Sequence, residues 1–179
     1  MELYLITGFL GAGKTTFLKN FARQFAGRRL RLIINEFGRA GVDGTLLREL
    51  DAALDEISNG SIFCACRLDQ FEAALEQAAA DAPDVVLVEA SGLADPTNVR
   101  RVLAQFPAVS YQGSVCVADA ARLEKVFSTA RACPRQLAVS SLVLLNKTDL
   151  ATEAQCAEAK ALILRANPAA RIRRTQFGR

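Results

Sequence analysis

Short apolar runs alternate with stretches of helical spacing along the whole chain. Residues 2–7 (ELYLIT) form the first run, which ends at Gly8. Phe17, Leu18, Phe21 and Phe25 then recur at helical spacing. They predict an amphipathic helix over residues 14–25, closed near Gly27. Residues 30–35 (LRLIIN) read as a second strand, and Leu68, Phe71, Leu75 and Ala78 mark a helix through an alanine-rich stretch. The runs at residues 85–88 (VVLV), 114–118 and 142–145 have the continuous apolar character of strands buried on both faces, as in a parallel sheet. Residues 152–166 read as a closing helix stopped at Asn167-Pro168. The alternation predicts an α/β domain with a mostly parallel central sheet flanked by helices on both faces, a three-layer α/β/α arrangement. The chain shows no repeat or interdomain linker, so one domain over residues 1–179 is expected.

Composition narrows the chemistry. Hydrophobic residues make up 51% of the chain, enough for a packed core and too many for intrinsic disorder. Twenty-two basic and 19 acidic residues leave a net charge of +3, spread along the sequence. That balance argues against a nucleic-acid or anionic-membrane surface. The cysteine count is five, an odd number, and no leader-like segment opens the chain. Both features point to free thiols in a cytoplasmic setting. No apolar run approaches the ~20 residues that cross a bilayer. Histidine is absent, which excludes imidazole bases and imidazole metal ligands.

One turn carries most of the functional signal. Residues 8–15 (GFLGAGKT) fit the phosphate-loop pattern G-x-x-x-x-G-K-[ST], between a predicted strand and a predicted helix. Gly8, Gly11, Ala12 and Gly13 let the backbone wrap close to phosphates, with N–H groups up to Thr16 facing negative charge at the helix start. Lys14 can bridge the β- and γ-phosphates, and the Thr15 hydroxyl is placed to ligate Mg²⁺.

A second loop chooses the base. Asn146-Lys147-Thr148-Asp149 follows the strand at 142–145, on the carboxyl edge where ligands of α/β sheets collect. The Asp149 carboxylate can accept both the N1–H and the exocyclic amino group of guanine, whereas adenine offers it a lone pair. Asn146 would hold the loop or the base edge, and Lys147 would lay its stem on the ring. Glu89 closes the strand at 85–88, where its carboxylate can reach the Mg²⁺ shell, and Gly92 can present its N–H to the γ-phosphate. The glycine-rich stretch at 36–44 is a candidate switch segment. No glutamine stands out as a water-positioning group, so hydrolysis is expected to be slow unless a partner or second subunit completes the site.

These residues resemble the CobW-type GTPase family, relatives of the urease and hydrogenase accessory GTPases UreG and HypB. The resemblance rests on GFLGAGKTT at 8–16, NEFG at 35–38 with VDG at 42–44, and NG at 59–60. It continues through EASGLADP at 89–96, VADA at 117–120, NKTDL at 146–150 and NPAA at 167–170. It implies a GTP/GDP-dependent protein that delivers a metal to, or helps mature, a client metalloprotein, and that dimerises with GTP bound. Two departures stand out. Of the family's Cys-x-Cys-Cys after Asn-Gly, this chain keeps only Cys64 and adds Cys66, and the family's separate C-terminal domain is missing.

Cys64 and Cys66, spaced by one residue, project to one side in extended backbone and could share a soft metal such as Zn²⁺ or Co²⁺. By analogy with the family, Glu36 would join them. Cys116, Cys133 and Cys156 have no partner spacing and read as core or surface thiols. The leading reading is a GTP-hydrolysing switch that assists a metal- or corrinoid-dependent partner. A phosphoryl-transfer kinase on the same loop, which would need an arginine-rich lid, and a GTP-sensing module without turnover are the alternatives.

Overall fold

The computed structural model describes residues 1–35, 44–58, 60–64 and 67–179. A parallel sheet of seven strands runs through them, in the order β3-β2-β4-β1-β5-β6-β7. The inner strands are β1 (Glu2–Thr7), β2 (Leu30–Asn35), β4 (Val85–Glu89), β5 (Ser110–Asp119) and β6 (Leu142–Asn146). These are the five apolar runs predicted above. Strands β3 (Ala53–Ile57) and β7 (Arg171–Arg174) form the two edges.

Helices cover both faces, as the alternation predicted. One face carries Ile6, Leu32, Leu87 and Val117 against Phe17, Leu18 and Ala22 of α1 (Lys14–Ala22) and Leu50 of α2 (Gly44–Leu50). On the other face, Leu5, Ile33 and Val88 meet Phe71 and Leu75 of α3 (Leu68–Asp81) and Val99 of α4 (Val99–Leu103). That face continues where Cys116, Val143 and Leu145 pack on α5 (Leu123–Thr129), α6 (Ala132–Ala138) and α7 (Glu153–Ala166). Burying a strand on both sides is what selects its unbroken apolar sequence.

Helix α1 is shorter than its sequence pattern. It ends at Ala22 and a 3₁₀ turn, Arg23–Phe25, carries the chain on. Phe17 still stacks on Phe21 at 5.2 Å, and Phe21 meets Tyr4 of β1 edge-on at 5.4 Å. These rings fasten the helix to the sheet and so fix the start of α1 beside the end of β1. Helix α7 begins with a full capping box between Thr152 and Gln155.

The edge strands are held by charge as well as by backbone pairing. Arg31 of β2, nearly buried, forks onto Asp55 of β3 through Nε (2.6 Å) and Nη2 (2.9 Å), and its Nη1 meets Asp81 of α3. Among the described residues no helix is long and apolar enough to cross a membrane.

Candidate functional site

Strands β4 and β5 pair on either side of β1. The loop after β1 therefore lies between the loops that carry Glu89-Gly92 and Asp119, at the carboxyl edge of the sheet. Its glycines are required by geometry. Gly8 has φ +136°, and a Cβ there would sit 2.2 Å from the Val117 carbonyl oxygen. Gly13 has φ +105°, and its Cβ would meet Asn146 Nδ2 at 2.6 Å. Side chains are excluded at both positions by backbone conformation and by contact. Gly8→Ala should therefore cost about 2 kcal/mol or more, a fall in Tm of roughly 4–8 °C in thermal unfolding.

Helix α1 starts at Lys14 with no side-chain cap and no acidic residue in its first turn. Ala12 N–H turns inward to the Phe9 carbonyl at 3.2 Å. Among the described residues, the amides of Gly11, Gly13, Thr15 and Thr16 donate to no protein acceptor. An uncapped helix start with several amides available is a ready anion site. Lys14 is 9% exposed, and the Arg122 guanidinium borders the loop, 3.7 Å from where a Gly11 Cβ would lie.

The base tetrad is joined to this cradle by direct bonds. Asn146 Nδ2 donates to the Ala12 carbonyl at 3.0 Å, and Lys147 Nζ donates to the Gly11 carbonyl at 2.7 Å. Of the two roles expected for Asn146, it takes that of holding the loop. Its Oδ1 accepts from Thr175 Oγ1 and from the Gly178 amide, both at 3.1 Å. Lys147, at φ +59°, also pairs with Asp119 Oδ2 at 2.9 Å. Asp149 follows on the exposed 3₁₀ turn Thr148–Leu150, where its carboxylate is accessible to a base.

On the other flank, Thr15 Oγ1 donates to Glu89 Oε1 at 3.1 Å, and Glu89 is 3% exposed. A hydroxyl and a buried carboxylate thus converge at the start of α1. Gly92 packs on the phosphate loop so tightly that a Cβ would lie 2.6 Å from Leu10 N. Gln136 of α6, buried, donates through Nε2 to the Gly92 carbonyl at 3.2 Å and the Ala94 carbonyl at 2.9 Å.

The thiol pair is described only in part. Glu36, Cys66 and the switch segment up to residue 43 lie outside the described residues. Cys64 is exposed and lies at a bend in the chain. Its amide bonds to the Ser61 carbonyl at 2.9 Å, and its carbonyl accepts from Arg67 and Leu68, both at 3.0 Å. Among the described residues no group of three or more potential metal ligands assembles. Cys116, Cys133 and Cys156 are buried in the core. Burial pushes the Cys116 thiol up to about 11 and Cys133 up to about 12. Iodoacetamide at about pH 8 should therefore modify Cys64 and spare Cys116 and Cys133, read by peptide mass spectrometry.

Asp119, Gln136, Thr175 and Gly178 were not among the expected site residues. Asp119 had a signal, an acidic residue ending an apolar strand. The other three act only through contacts with distant loops.

Residues 2–174 match a family model described as the CobW/HypB/UreG nucleotide-binding domain. The chain is 32% identical over 206 residues to a zinc chaperone CobW of Pseudomonas aeruginosa, covering 95% of this chain and 55% of the relative. It is 28% identical over 188 residues to the zinc-regulated GTPase metalloprotein activator 1 of Schizosaccharomyces pombe, covering 98% and 46%. The fold matches the crystal structure of Zn(II)-bound YjiA GTPase from E. coli with a TM-score of 0.71 at 23% identity, covering 97% of this chain and 57% of that one. The chain thus spans about half the length of the curated relatives it matches.

Proposed function

The chain belongs to the CobW/HypB/UreG nucleotide-binding family, and from that premise we propose that it is a GTP-binding, slowly hydrolysing switch that assists metal delivery to, or maturation of, a metalloenzyme or corrinoid protein. The observation that carries the nucleotide reading is the pair of bonds from Asn146 and Lys147 to the Ala12 and Gly11 carbonyls. They seat a guanine-type tetrad against a phosphate-type loop, and a guanosine triphosphate is the ligand class that needs both.

Each residue then has a role. The amides of Gly11, Gly13, Thr15 and Thr16 wrap the phosphates, Ala12 N–H being taken by the Phe9 carbonyl, while Lys14 neutralises the β- and γ-phosphates and Asp149 reads the purine edge. Gly92, whose carbonyl Gln136 holds, would present its N–H to the terminal phosphate. Thr15 and Glu89 offer hard oxygen donors and fit a Mg²⁺ ion, which when bound neutralises phosphate charge. Lys147 keeps the base loop in place through Asp119. Neither a glutamine nor a histidine stands ready to orient the attacking water, which is why slow hydrolysis and completion by a second GTP-bound copy are part of the reading. The arginines that a kinase lid would use do not favour that alternative. Arg171, Arg173 and Arg174 lie in edge strand β7, and Arg174 pairs with Glu153.

Metal is the proposed cargo. The names of the Pseudomonas and S. pombe relatives support zinc, and Cys64, Cys66 and Glu36 are the residues that would carry zinc or cobalt. A double Cys64→Ser, Cys66→Ser variant should lose stoichiometric zinc in elemental analysis after dialysis, while keeping GTP binding. Full retention of zinc would place the cargo site elsewhere. For the switch itself, calorimetry with GTP and ATP should show tighter GTP binding, and phosphate release per protein should rise with protein concentration. Turnover absent at every concentration would leave a sensing module instead.

A further inference from the structure

One buried side chain connects the two halves of that reading. Asn35 ends β2, beside Ile57 of β3, and the preceding Ile34 pairs with Glu89 of β4. It is 1% exposed. An asparagine amide has two N–H donors and an oxygen with two lone pairs, and all four are used. Nδ2 donates to the Ile57 carbonyl at 3.0 Å and the Gly60 carbonyl at 2.7 Å, while Oδ1 accepts from Ile62 N at 3.1 Å and Ser91 N at 3.3 Å. Gly60 and Ile62 bracket the turn whose Ser61 carbonyl anchors the Cys64 amide. Ser91 precedes Gly92, which rests on Leu10 of the phosphate loop.

We infer that Asn35 is a positioning residue that couples the terminal-phosphate end of β4 to the cysteine-bearing turn, so that the bound nucleotide sets the presentation of Cys64. The inference rests on the GTP reading and adds its means of regulation. Two observations support movement at this joint. The Ser91 bond is the longest of the four, and Ser91 Oγ is buried with no hydrogen-bond partner among the described residues. A buried hydroxyl without a partner costs free energy, so this segment has a bond to gain in a second arrangement. Because Ser91 and Ile62 share one acceptor atom, a shift of Ser91 alters the geometry left for Ile62. Any apolar residue at position 35 would break the link and orphan two amides and two carbonyls.

The test reads Cys64, not hydrolysis. The full chain, freed of metal with chelator, is saturated with GDP or with a non-hydrolysable GTP analogue, with saturation checked by calorimetry. Alkylation of Cys64 is then followed by peptide mass spectrometry. The wild-type rate should differ between the two nucleotides by about fivefold or more, the lower end of ordinary coupling between sites. Asn35→Ala should bring the ratio to within about twofold of unity, whereas Asn35→Asp, which keeps the shared acceptor but sets a carboxylate against the Ile57 and Gly60 carbonyls, should preserve the ratio at a lower Tm. A merely structural asparagine would lower Tm in both variants and leave the ratio alone, which would overturn the inference. If neither variant folds, amide exchange in the wild type decides. Nucleotide exchange should alter protection of the Ser91 and Ile62 amides together, and a change at Ser91 without one at Ile62 would sink the proposal. Failure to bind GTP would remove the functional reading as well. Binding with an unchanged Cys64 rate would remove this inference alone.

Discussion

Lys14→Ala should weaken GTP binding by about two to three decades and leave the fold intact. A lysine ammonium near a phosphate oxygen gains about 4 kcal/mol at 4 Å and an effective dielectric of 20. Much of that attraction is offset by losing water from both ions, and a charged hydrogen bond nets ~1.5–3 kcal/mol. Contacts to two phosphates thus leave about 3–4 kcal/mol, at 1.4 kcal/mol per decade of affinity. The backbone amides remain in the variant, so a weak residual affinity is expected. Lys14 opens α1, where alanine is at least as good a helix former, and the packing of Phe17, Leu18 and Ala22 is untouched. Calorimetry with GTP and circular dichroism with heating separate the two effects. A Kd within about tenfold of wild type would remove Lys14 from the phosphate contact.

The parts legible in the sequence are those whose chemistry is local. Five strands buried on both faces read as unbroken apolar runs, and β2 matches its expected bounds. Strand β5 begins at Ser110, earlier than its apolar stretch, because its first residues alternate between exposed and half-buried positions. The edge strands were not legible. β3 contains Asp55 and Glu56, and β7 is mostly arginine, since an edge strand keeps neighbours on one side only and carries charge that discourages further pairing. Helices α2, α4, α5 and α6 run to seven residues or fewer, too short to show a helical period.

The site divides in the same way. Glycines, Lys14, Thr15, Glu89 and Asp149 are recognisable because the role proposed for each rests on its own side chain or backbone conformation. Asn35, Asp119, Gln136 and Gly178 act on other parts of the protein. Gln136 reaches Gly92 across 44 residues, and Gly178 reaches Asn146 across 32. Partners such as Gln136 and Gly178 are chosen by topology, and no local pattern announces them, whereas Asn35 and Asp119 at least sit in recognisable stretches at strand ends. At Cys64 the local geometry differs from the simplest one. Extended backbone suits a Cys-x-Cys pair, whereas Cys64 lies at a bend, with its amide bonded to the Ser61 carbonyl.

Asp149→Asn should do more than weaken guanine binding; it should change which purine is preferred. Guanine offers two donors along this edge, N1–H and the exocyclic amino group, and a carboxylate accepts both. An asparagine side chain presents one acceptor and one donor. Its acceptor can still take N1–H, but its NH₂ then faces the guanine amino group, donor against donor. Xanthine keeps N1–H and replaces the amino group with a carbonyl, which matches asparagine at both positions. Losing one charge-assisted bond and creating one clash should cost about 3 kcal/mol or more for GTP, about a hundredfold in affinity. XTP, which a carboxylate repels, should gain by a similar factor. The exposed turn Thr148–Leu150 carries no core packing at Asp149, so the substitution leaves the fold undisturbed. Competition of XTP and GTP for a fluorescent guanine nucleotide would show the exchange. The discriminating control is Lys14, whose contact is with phosphate and whose removal should weaken both nucleotides equally. If Asp149→Asn instead lowered GTP and XTP by the same factor, the carboxylate would be holding the loop, and the purine would be read by another group.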